Sequence, residues 1–341
     1  MGLNSRRQSK GFVLIFALWV LGLLTFFAVS IALGVRQKTL MAEKLEDNNR
    51  MYYLLEAALK QSKAYVRKEM EQQEYVYSAQ LKARLHRNFA FFGNIPFGTD
   101  IACVRNKQEE KTGGVDAFGV IDEERKININ TVSVLVLKRL VEYVLGIDQE
   151  EALRLSEAII DWRQRGESQT SGFYSDAYYR QLQRPYFKKD AAYELLEELL
   201  LVKGVTRAKY EKLLPYLTVF GEGKININTA PKEVLYALGL DPVLVQKVLK
   251  VRQGHDGLEA TLDDVVFQKT FDVASTIQAY VELDPSEVRI LDALNLQGAL
   301  TTNSYYFYLL IEARLGKSGW MKTAQAILSP RENKVLYWRE K

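Results

Sequence analysis

The sequence predicts an α+β protein in which one long N-terminal helix packs on an antiparallel sheet and a large all-helical domain is inserted between the strands. Three observations lead to this prediction. An uncharged apolar run near the N-terminus continues into a region without helix breakers. Short β-type runs lie before residue 131 and after residue 285, with helical runs between them. An internal repeat marks the helical part of the chain.

The apolar run extends from Phe12 to Val35 and carries no charge. As a helix rising ~1.5 Å per residue it spans ~36 Å, which is enough to cross a hydrocarbon core of ~30 Å. The apolar part of a secretory signal peptide is usually only ~7–15 residues long and ends at a small-residue cleavage site. We therefore expect a membrane-spanning segment, and an ordinary single-pass anchor is the alternative.

No glycine or proline occurs between Val35 and Phe92, so nothing obliges the helix to stop where the apolar run ends. Apolar or small residues recur at three- and four-residue spacing from Leu55 to Met70, as in a helix with one buried face. We predict one continuous helix from about Phe12 to about Gln72.

Strand predictions follow from short apolar runs bounded by turn residues. The runs before the helical block are Ile101–Asn106, Val115–Asp122 and Lys126–Asn128. The runs after it are Tyr306–Leu315, Trp320–Leu328 and 332–340, and hairpin-length links join them into an antiparallel end of the chain. Between the two sets, residues 131–284 read as helices, among them 191–202, and the β signal returns after Pro285, first in Tyr306–Leu315.

Composition narrows the function. The chain holds 46 basic and 42 acidic residues, a small and dispersed excess that argues against a dedicated nucleic-acid surface. Cys103 is the only cysteine, so no internal disulfide is possible, and one Cys with two His nearly excludes a Cys/His metal site. We expect His86 and His255 to be exposed, and adjacent acids such as Glu123 and Glu124 to be solvated. No catalytic motif is present, so we do not expect an enzyme.

The repeat is Lys-Ile-Asn-Ile-Asn-Thr, found at 126–131 and again at 224–229. A pair of helices follows each copy and ends in a basic tail, Trp162–Gln164 in the first and Val251–Gln253 in the second. We predict that the polar residues of both copies are structural caps for unpaired helix amides, and a direct binding role is the alternative. The predicted caps are Asn128, Asn130, Thr131, Asn226, Asn228 and Thr229.

The residues before the apolar run form a short basic leader, MGLNSRRQSKG, without an acid. The leader, with Gly11 directly before Phe12, resembles the class III leaders of type IV pilins and pseudopilins. The resemblance implies that a prepilin peptidase cuts between Gly11 and Phe12 on the cytoplasmic side and that Phe12 is then methylated. Phe16 and Trp19 would lie in the assembly helix. Most members have Glu where Phe16 stands, and a subunit with no neighbour ahead of it has no use for that acid.

Over nearly its whole length the chain resembles the K-type minor pseudopilins of type II secretion. The resemblance rests on the leader, the missing acid at Phe16, the doubled repeat and a series of short motifs: Asp161–Arg163, Arg184–Phe187, Glu194-Leu195 and Val335–Trp338. It implies a pilin-like helix on a sheet, and an inserted domain like SAM or helix-hairpin-helix domains. The implied function is to help initiate and cap the tip of the type II secretion pseudopilus and so support protein export across the outer membrane.

The same resemblance implies partners and location. The partners would be the I- and J-type minor pseudopilins, the prepilin peptidase and the inner-membrane assembly platform. The chain would cross the inner membrane once, with its N-terminus cytoplasmic and its globular part periplasmic, and would move to the pseudopilus tip on assembly. The implied segments are a leader (1–11), the helix and its tail (12–92, membrane part 12–35), a first sheet part (93–130), the inserted domain (131–285) and the C-terminal strands (286–341).

Two further expectations concern ligands. Family members often add acids after the Asp-Trp-Arg motif and bind calcium, whereas here Gln164 and Arg165 follow, leaving Asp161, Glu167 and Asp176 as candidate ligands. We expect no other cofactor, and the sequence leaves a metal undecided.

A membrane-anchored helix-hairpin-helix DNA-binding receptor is the alternative function, because that family shares the repeated unit. However, Gly204-Val205-Thr206 lacks the second glycine of a phosphate-binding hairpin turn, and Asp241 would repel phosphate in the second repeat. We therefore expect no nucleic-acid partner.

Overall fold

The computed structural model describes residues 8–72, 78–106, 117–164 and 176–341. The chain divides into two compact units, Met1–Leu54 and Leu55–Lys341. The predicted turn at 107–114 and the metal candidate Glu167 lie outside the described residues, as does the start of the strand predicted at Val115–Asp122.

Helix α1 spans Gln8–Gln72 without a break and passes through the boundary between the units. The predicted continuous helix is therefore confirmed, and it ends where glutamine-rich residues replace the apolar pattern. Within the second unit α1 has one buried face, formed by Leu55, Ala58, Leu59, Ser62, Val66 and Met70. Burial of this face stabilises a helix end that an isolated peptide would leave frayed.

The other helices are short. They are α2 (Ala79–His86), α3 (Phe89–Phe92), α4 (Val134–Leu145), α5 (Gln149–Arg163), α6 (Asp176–Arg180), α7 (Arg207–Leu213), α8 (Lys232–Ala237), α9 (Pro242–Arg252), α10 (Val273–Gln278) and α11 (Pro285–Leu296). Three 3₁₀ helices lie at Leu196–Leu201, Leu214–Tyr216 and Thr270–Asp272. The long helix predicted at 191–202 is thus only the first of these 3₁₀ turns.

The main sheet is antiparallel. Its strands are β1 (Ile95–Phe97), β2 (Asp100–Arg105), β3 (Ile121–Asp122), β8 (Phe307–Arg314), β9 (Met321–Ser329) and β10 (Lys334–Glu340), in the order β1-β2-β8-β9-β10 with β3 also paired to β8. Asp122 pairs directly with Phe307. Since β3 and β8 are neighbours in space, everything between them in sequence is an insertion into the sheet, which confirms the predicted fold class.

The helical block contains two short parallel strand pairs. They are β4 (Ile127–Asn128) with β5 (Leu217–Thr218), and β6 (Ile225–Asn226) with β7 (Leu300–Thr301). The strand predicted at Lys126–Asn128 therefore forms, but in the block and not in the main sheet. Each copy of the repeat supplies the first strand of one pair.

Two sequence predictions are wrong in detail. The chain after Pro285 first forms α11, whose Leu291 and Leu294 belong to the core of the helical block, so residue 286 is not where the C-terminal strands begin, although the strand predicted at Tyr306–Leu315 forms as β8. Within the described part of Val115–Asp122, only β3 and one bridge between Arg105 and Phe118 are extended and paired. Short runs of this kind carry too little periodicity to place their ends.

Candidate assembly site and the buried supports of the inserted block

The apolar part of α1 is the most exposed apolar surface in the described chain. Side chains from Phe12 to Val35 project from the helix all round, with Phe16 63% and Trp19 77% exposed. Its length and composition are sufficient for one membrane span. An apolar surface of this size needs lipid or the equivalent helices of other subunits to cover it.

The predicted processing site lies at the start of this surface. Helix α1 begins at Gln8, so the Gly11–Phe12 bond lies within its first turn. Both residues are exposed, and a Cβ built on Gly11 meets no atom within 4 Å. The outer side of the helix at this bond is therefore not covered by another part of the described chain.

The repeated motif forms the same loop twice. In each copy the first asparagine accepts a hydrogen bond through Oδ1 from the N–H two residues on: 2.8 Å from Asn128 to Asn130, and 3.0 Å from Asn226 to Asn228. The second asparagine binds both backbone groups of one distant residue, as Asn130 does for Tyr193. In these loops the asparagine side chains bind backbone groups that a helix or strand partner would otherwise bind.

The second copy forms the same pair of asparagine–backbone hydrogen bonds, and its asparagines are more deeply buried. Asn228 donates to the carbonyl of Phe267 at 3.0 Å and accepts from its N–H at 2.8 Å, and it also donates to the carbonyl of Thr302. Asn226 donates to Asp122 and to Ser304. The second loop is thus joined to the strand that leads out of the block.

The predicted helix-capping role of these residues is wrong. The N-cap of α4 is Ser133, whose hydroxyl accepts from the N–H of Val136, and the N-cap of α8 is Pro231, which offers no side-chain cap. Thr131 donates back to the carbonyl of Asn128, and Thr229 donates to Asp122. The six residues bind loop backbone and neighbouring strands because the helices begin two or three residues later than the motif suggests.

In each copy, an arginine at the end of the second helix after the loop donates hydrogen bonds to the loop's carbonyls. Arg252 Nη1 donates to the carbonyls of Ile227 and Ala230 at 3.0 and 2.8 Å. Arg163 binds the equivalent carbonyls of the first copy. These are the arginines of the two basic tails, so the repeat and its tail form one unit. Sequence reasoning noted both features but did not connect them.

The turn Asp122–Glu124 joins the sheet to the block. Thr218 donates to Glu123 at 2.6 Å, and the N–H of Tyr305 donates to Glu124. Both glutamates are buried, so the expectation that this acid pair is solvated is wrong. Burial, with the nearby Asp122 carboxylate, raises the pKa of Glu124 to about 8.

A buried cluster of four charges joins α2 to the second copy. Lys82 is 2% exposed, and its ammonium lies 2.8 Å from Glu259 and 2.6 Å from Asp264. Arg252 binds Glu259 through two nitrogens at 2.9 and 2.6 Å. Burial alone would raise the pKa of Glu259, but Arg252 and Lys82 outweigh it and lower that pKa to about 2. Two cations thus balance two carboxylates away from water.

His86, at the end of α2, is also buried, and its Nδ1 lies 2.7 Å from the carbonyl of Val120. Burial lowers its pKa to about 4, so it is neutral at pH 7. The expected exposure of His86 is therefore wrong, whereas His255 is exposed as predicted. The polar sequence around His86 gave no sign that Val120 and Phe307, from the sheet part of the chain, would pack against it.

The described residues do not fit a divalent cation at the Asp-Trp-Arg motif. Asp161 is 1% exposed rather than solvated, and the cation nearest its carboxylate is the Lys188 ammonium at 3.5 Å. No group of three or more His, Cys, Asp or Glu side chains suited to a metal occurs in the described part of the chain. Asp176 begins α6, and its side chain is outside the described atoms.

A long apolar helix followed by a sheet with an inserted helical block is the architecture predicted for a pilin-like subunit. Three comparisons with known proteins show what the chain is similar to. Residues 117–222 match the family model of type II secretion system (T2SS), protein K. Type II secretion system protein K of Aeromonas hydrophila is 35% identical over 105 residues, covering 29% of this chain and 32% of that protein. The alignment therefore spans about a third of the relative's length.

A solved structure extends the likeness to most of the chain. It is a chain of the GspK-GspI-GspJ complex from the type 2 secretion system of enterotoxigenic Escherichia coli, with a TM-score of 0.64 and 15% identity. The match covers 88% of this chain and 99% of that chain. Together the comparisons confirm the resemblance to the K-type minor pseudopilins.

Proposed function

We propose that this chain is a minor pseudopilin that helps initiate and cap the tip of the type II secretion pseudopilus. One observation carries the proposal: the exposed apolar helix is combined with a helical block inserted into the sheet. The helix supplies a surface for lateral packing with equivalent helices, and the block adds bulk that would prevent a further subunit from joining above it.

Phe16 supports the position at the tip. A carboxylate in an apolar helix bundle is costly unless a cation lies beside it. A subunit with no other subunit ahead of it has no such cation next to position 16, so an apolar Phe16 suits the tip. We further propose cleavage at Gly11, a single membrane crossing with the globular part in the periplasm, and I- and J-type minor pseudopilins as partners.

The contacts of the hairpin-like turn weigh against the DNA-binding alternative. Thr206 caps α7, and its hydroxyl accepts from the N–H of Lys209. The ammonium of Lys209 lies 2.9 Å from Glu151, and Arg207 lies 2.6 Å from Glu211. Two of the cations near this turn, Arg207 and Lys209, are thus paired with carboxylates.

Copurification tests the proposal. The full-length chain, tagged and coexpressed with I- and J-type subunits, is extracted in mild detergent, and we expect both subunits to copurify with it. Trp19→Ala should reduce their recovery, whereas Leu296→Ala, at an exposed apolar residue of the helical block, should not. Failure of both subunits to bind the wild-type chain would contradict the proposal.

A further inference from the structure

The carboxylate of Asp161 is a buried charge at the end of α5. Its oxygens are inaccessible to solvent and have no hydrogen-bond partner among the described residues. A buried carboxylate without hydrogen bonds is strongly unfavourable unless a cation lies next to it. We therefore ask which cation of the described chain stabilises this carboxylate.

That cation is Lys188, whose side chain is almost completely buried. Its ammonium lies 3.5 Å from Asp161, 3.0 Å from Asp190 and 3.2 Å from the carbonyl of Gln164. Burial alone would lower the pKa of Lys188, but the two carboxylates outweigh it and raise that pKa. The ammonium is thus surrounded by oxygens of Asp161, Asp190 and Gln164.

The backbone is shaped to place this lysine. Asp190 has a φ of 52°, in the left-handed region that few residues other than glycine adopt. Its N–H donates to the carbonyl of Trp162 at 3.1 Å. The turn is therefore bound to the end of α5 and carries Lys188 to Asp161.

We propose that the Lys188 ammonium is the built-in cation of this site and that the helical block holds its shape here without a divalent metal ion. Calcium takes oxygen ligands at 2.3–2.6 Å. An ion bound to Asp161 and Asp190 at such distances would occupy the space of the ammonium and repel its charge. The lysine and a divalent ion are alternatives at this position.

The inference does not rest on the proposed function, because it concerns the stability of the chain alone. Its test is thermal unfolding of the full-length chain in mild detergent, followed by near-UV circular dichroism with calcium or with a chelator. We expect the same melting temperature in both. A higher melting temperature with calcium would overturn the inference.

Variants test the role of the lysine itself. Lys188→Met should lower the melting temperature by about 5–15 °C, because it leaves Asp161 without a cation. The double variant Asp161→Asn/Lys188→Met should recover much of the loss. Lys224→Met, which removes an exposed lysine 3.4 Å from Glu222, is the control and should change little. A Lys188→Met chain as stable as the wild type would also overturn the inference.

Discussion

Replacing Lys82 by methionine tests whether the buried charges join α2 to the helical block. Methionine keeps most of the length of the lysine side chain and removes its charge. Glu259 would then keep its pair with Arg252, whereas Asp264 would lose the cation beside it, leaving one negative charge unbalanced in a buried site. We therefore expect a large loss of stability.

The magnitude follows from the distances. The ammonium nitrogen of Lys82 lies 2.8 Å from a carboxylate oxygen of Glu259 and 2.6 Å from one of Asp264. Each of these contacts corresponds to roughly 6 kcal/mol of attraction at an effective dielectric constant of about 20. Desolvation of the ammonium offsets several kcal/mol of this gain. Removal of one partner from a buried pair typically costs about 3–5 kcal/mol, and we expect a free energy of unfolding lower by that amount.

Urea unfolding of the full-length chain in mild detergent measures the loss. Lys60→Met is the control, because Lys60 forms an exposed pair with Glu56 and such pairs contribute less than about 1 kcal/mol. The double variant Lys82→Met/Asp264→Asn should recover part of the stability, since one cation then faces one carboxylate. If the double variant were as unstable as Lys82→Met, lost packing rather than charge would explain the effect and the reasoning would be refuted.

Three further predictions concern the repeat and the turn. The raised pKa of Glu124 means that its folded carboxyl keeps a proton between about pH 4.5 and 8, so its contribution to stability falls as pH rises through that range. Buried His86, whose pKa is lowered from 6.5 to about 4, contributes with the opposite sign between those two values. Wild-type stability should therefore fall mainly between about pH 6.5 and 8. Glu124→Gln should flatten this slope in urea titrations at several pH values, and an unchanged slope would contradict the assignment. Asn228→Ala should cost about 2–4 kcal/mol, more than Asn130→Ala, because Asn228 is itself fully buried, whereas Asn130 is half-buried, and because Asn228 also donates to the carbonyl of Thr302. Equal unfolding midpoints would show that the two loops are not held as described. Arg252→Lys should destabilise the chain more than Arg163→Lys, because of the two arginines only Arg252 also binds a carboxylate among the described residues. Chemical denaturation measures both losses, and a larger loss for Arg163→Lys would refute this prediction.

The long helix and the inserted block could be predicted because each has a local cause. The absence of glycine and proline after Val35 explains the unbroken α1, and the return of apolar runs near Tyr306 explains β8 to β10. The pairing of β3 with β8 could be suspected only from the order of the elements, since no local pattern selects a partner strand.

The buried polar contacts could not be predicted, because they join residues far apart in sequence. Lys82, His86 and Glu124 lie in polar segments that look exposed, and they are buried only by segments distant in sequence: Lys82 by Glu259 and Asp264, His86 by Phe307, and Glu124 by Tyr305. The repeated asparagines were recognised, but their partners Tyr193 and Phe267 lie 63 and 39 residues away, and no local pattern links them to the repeat.

The processing of the leader tests the central claim most directly. The chain is coexpressed with a prepilin peptidase, purified from membranes and sequenced from its N-terminus. If the chain is a minor pseudopilin, the first residue is Phe12, carrying an N-methyl group. An intact leader beginning at Met1, in cells where a known pseudopilin is cleaved, would contradict the account.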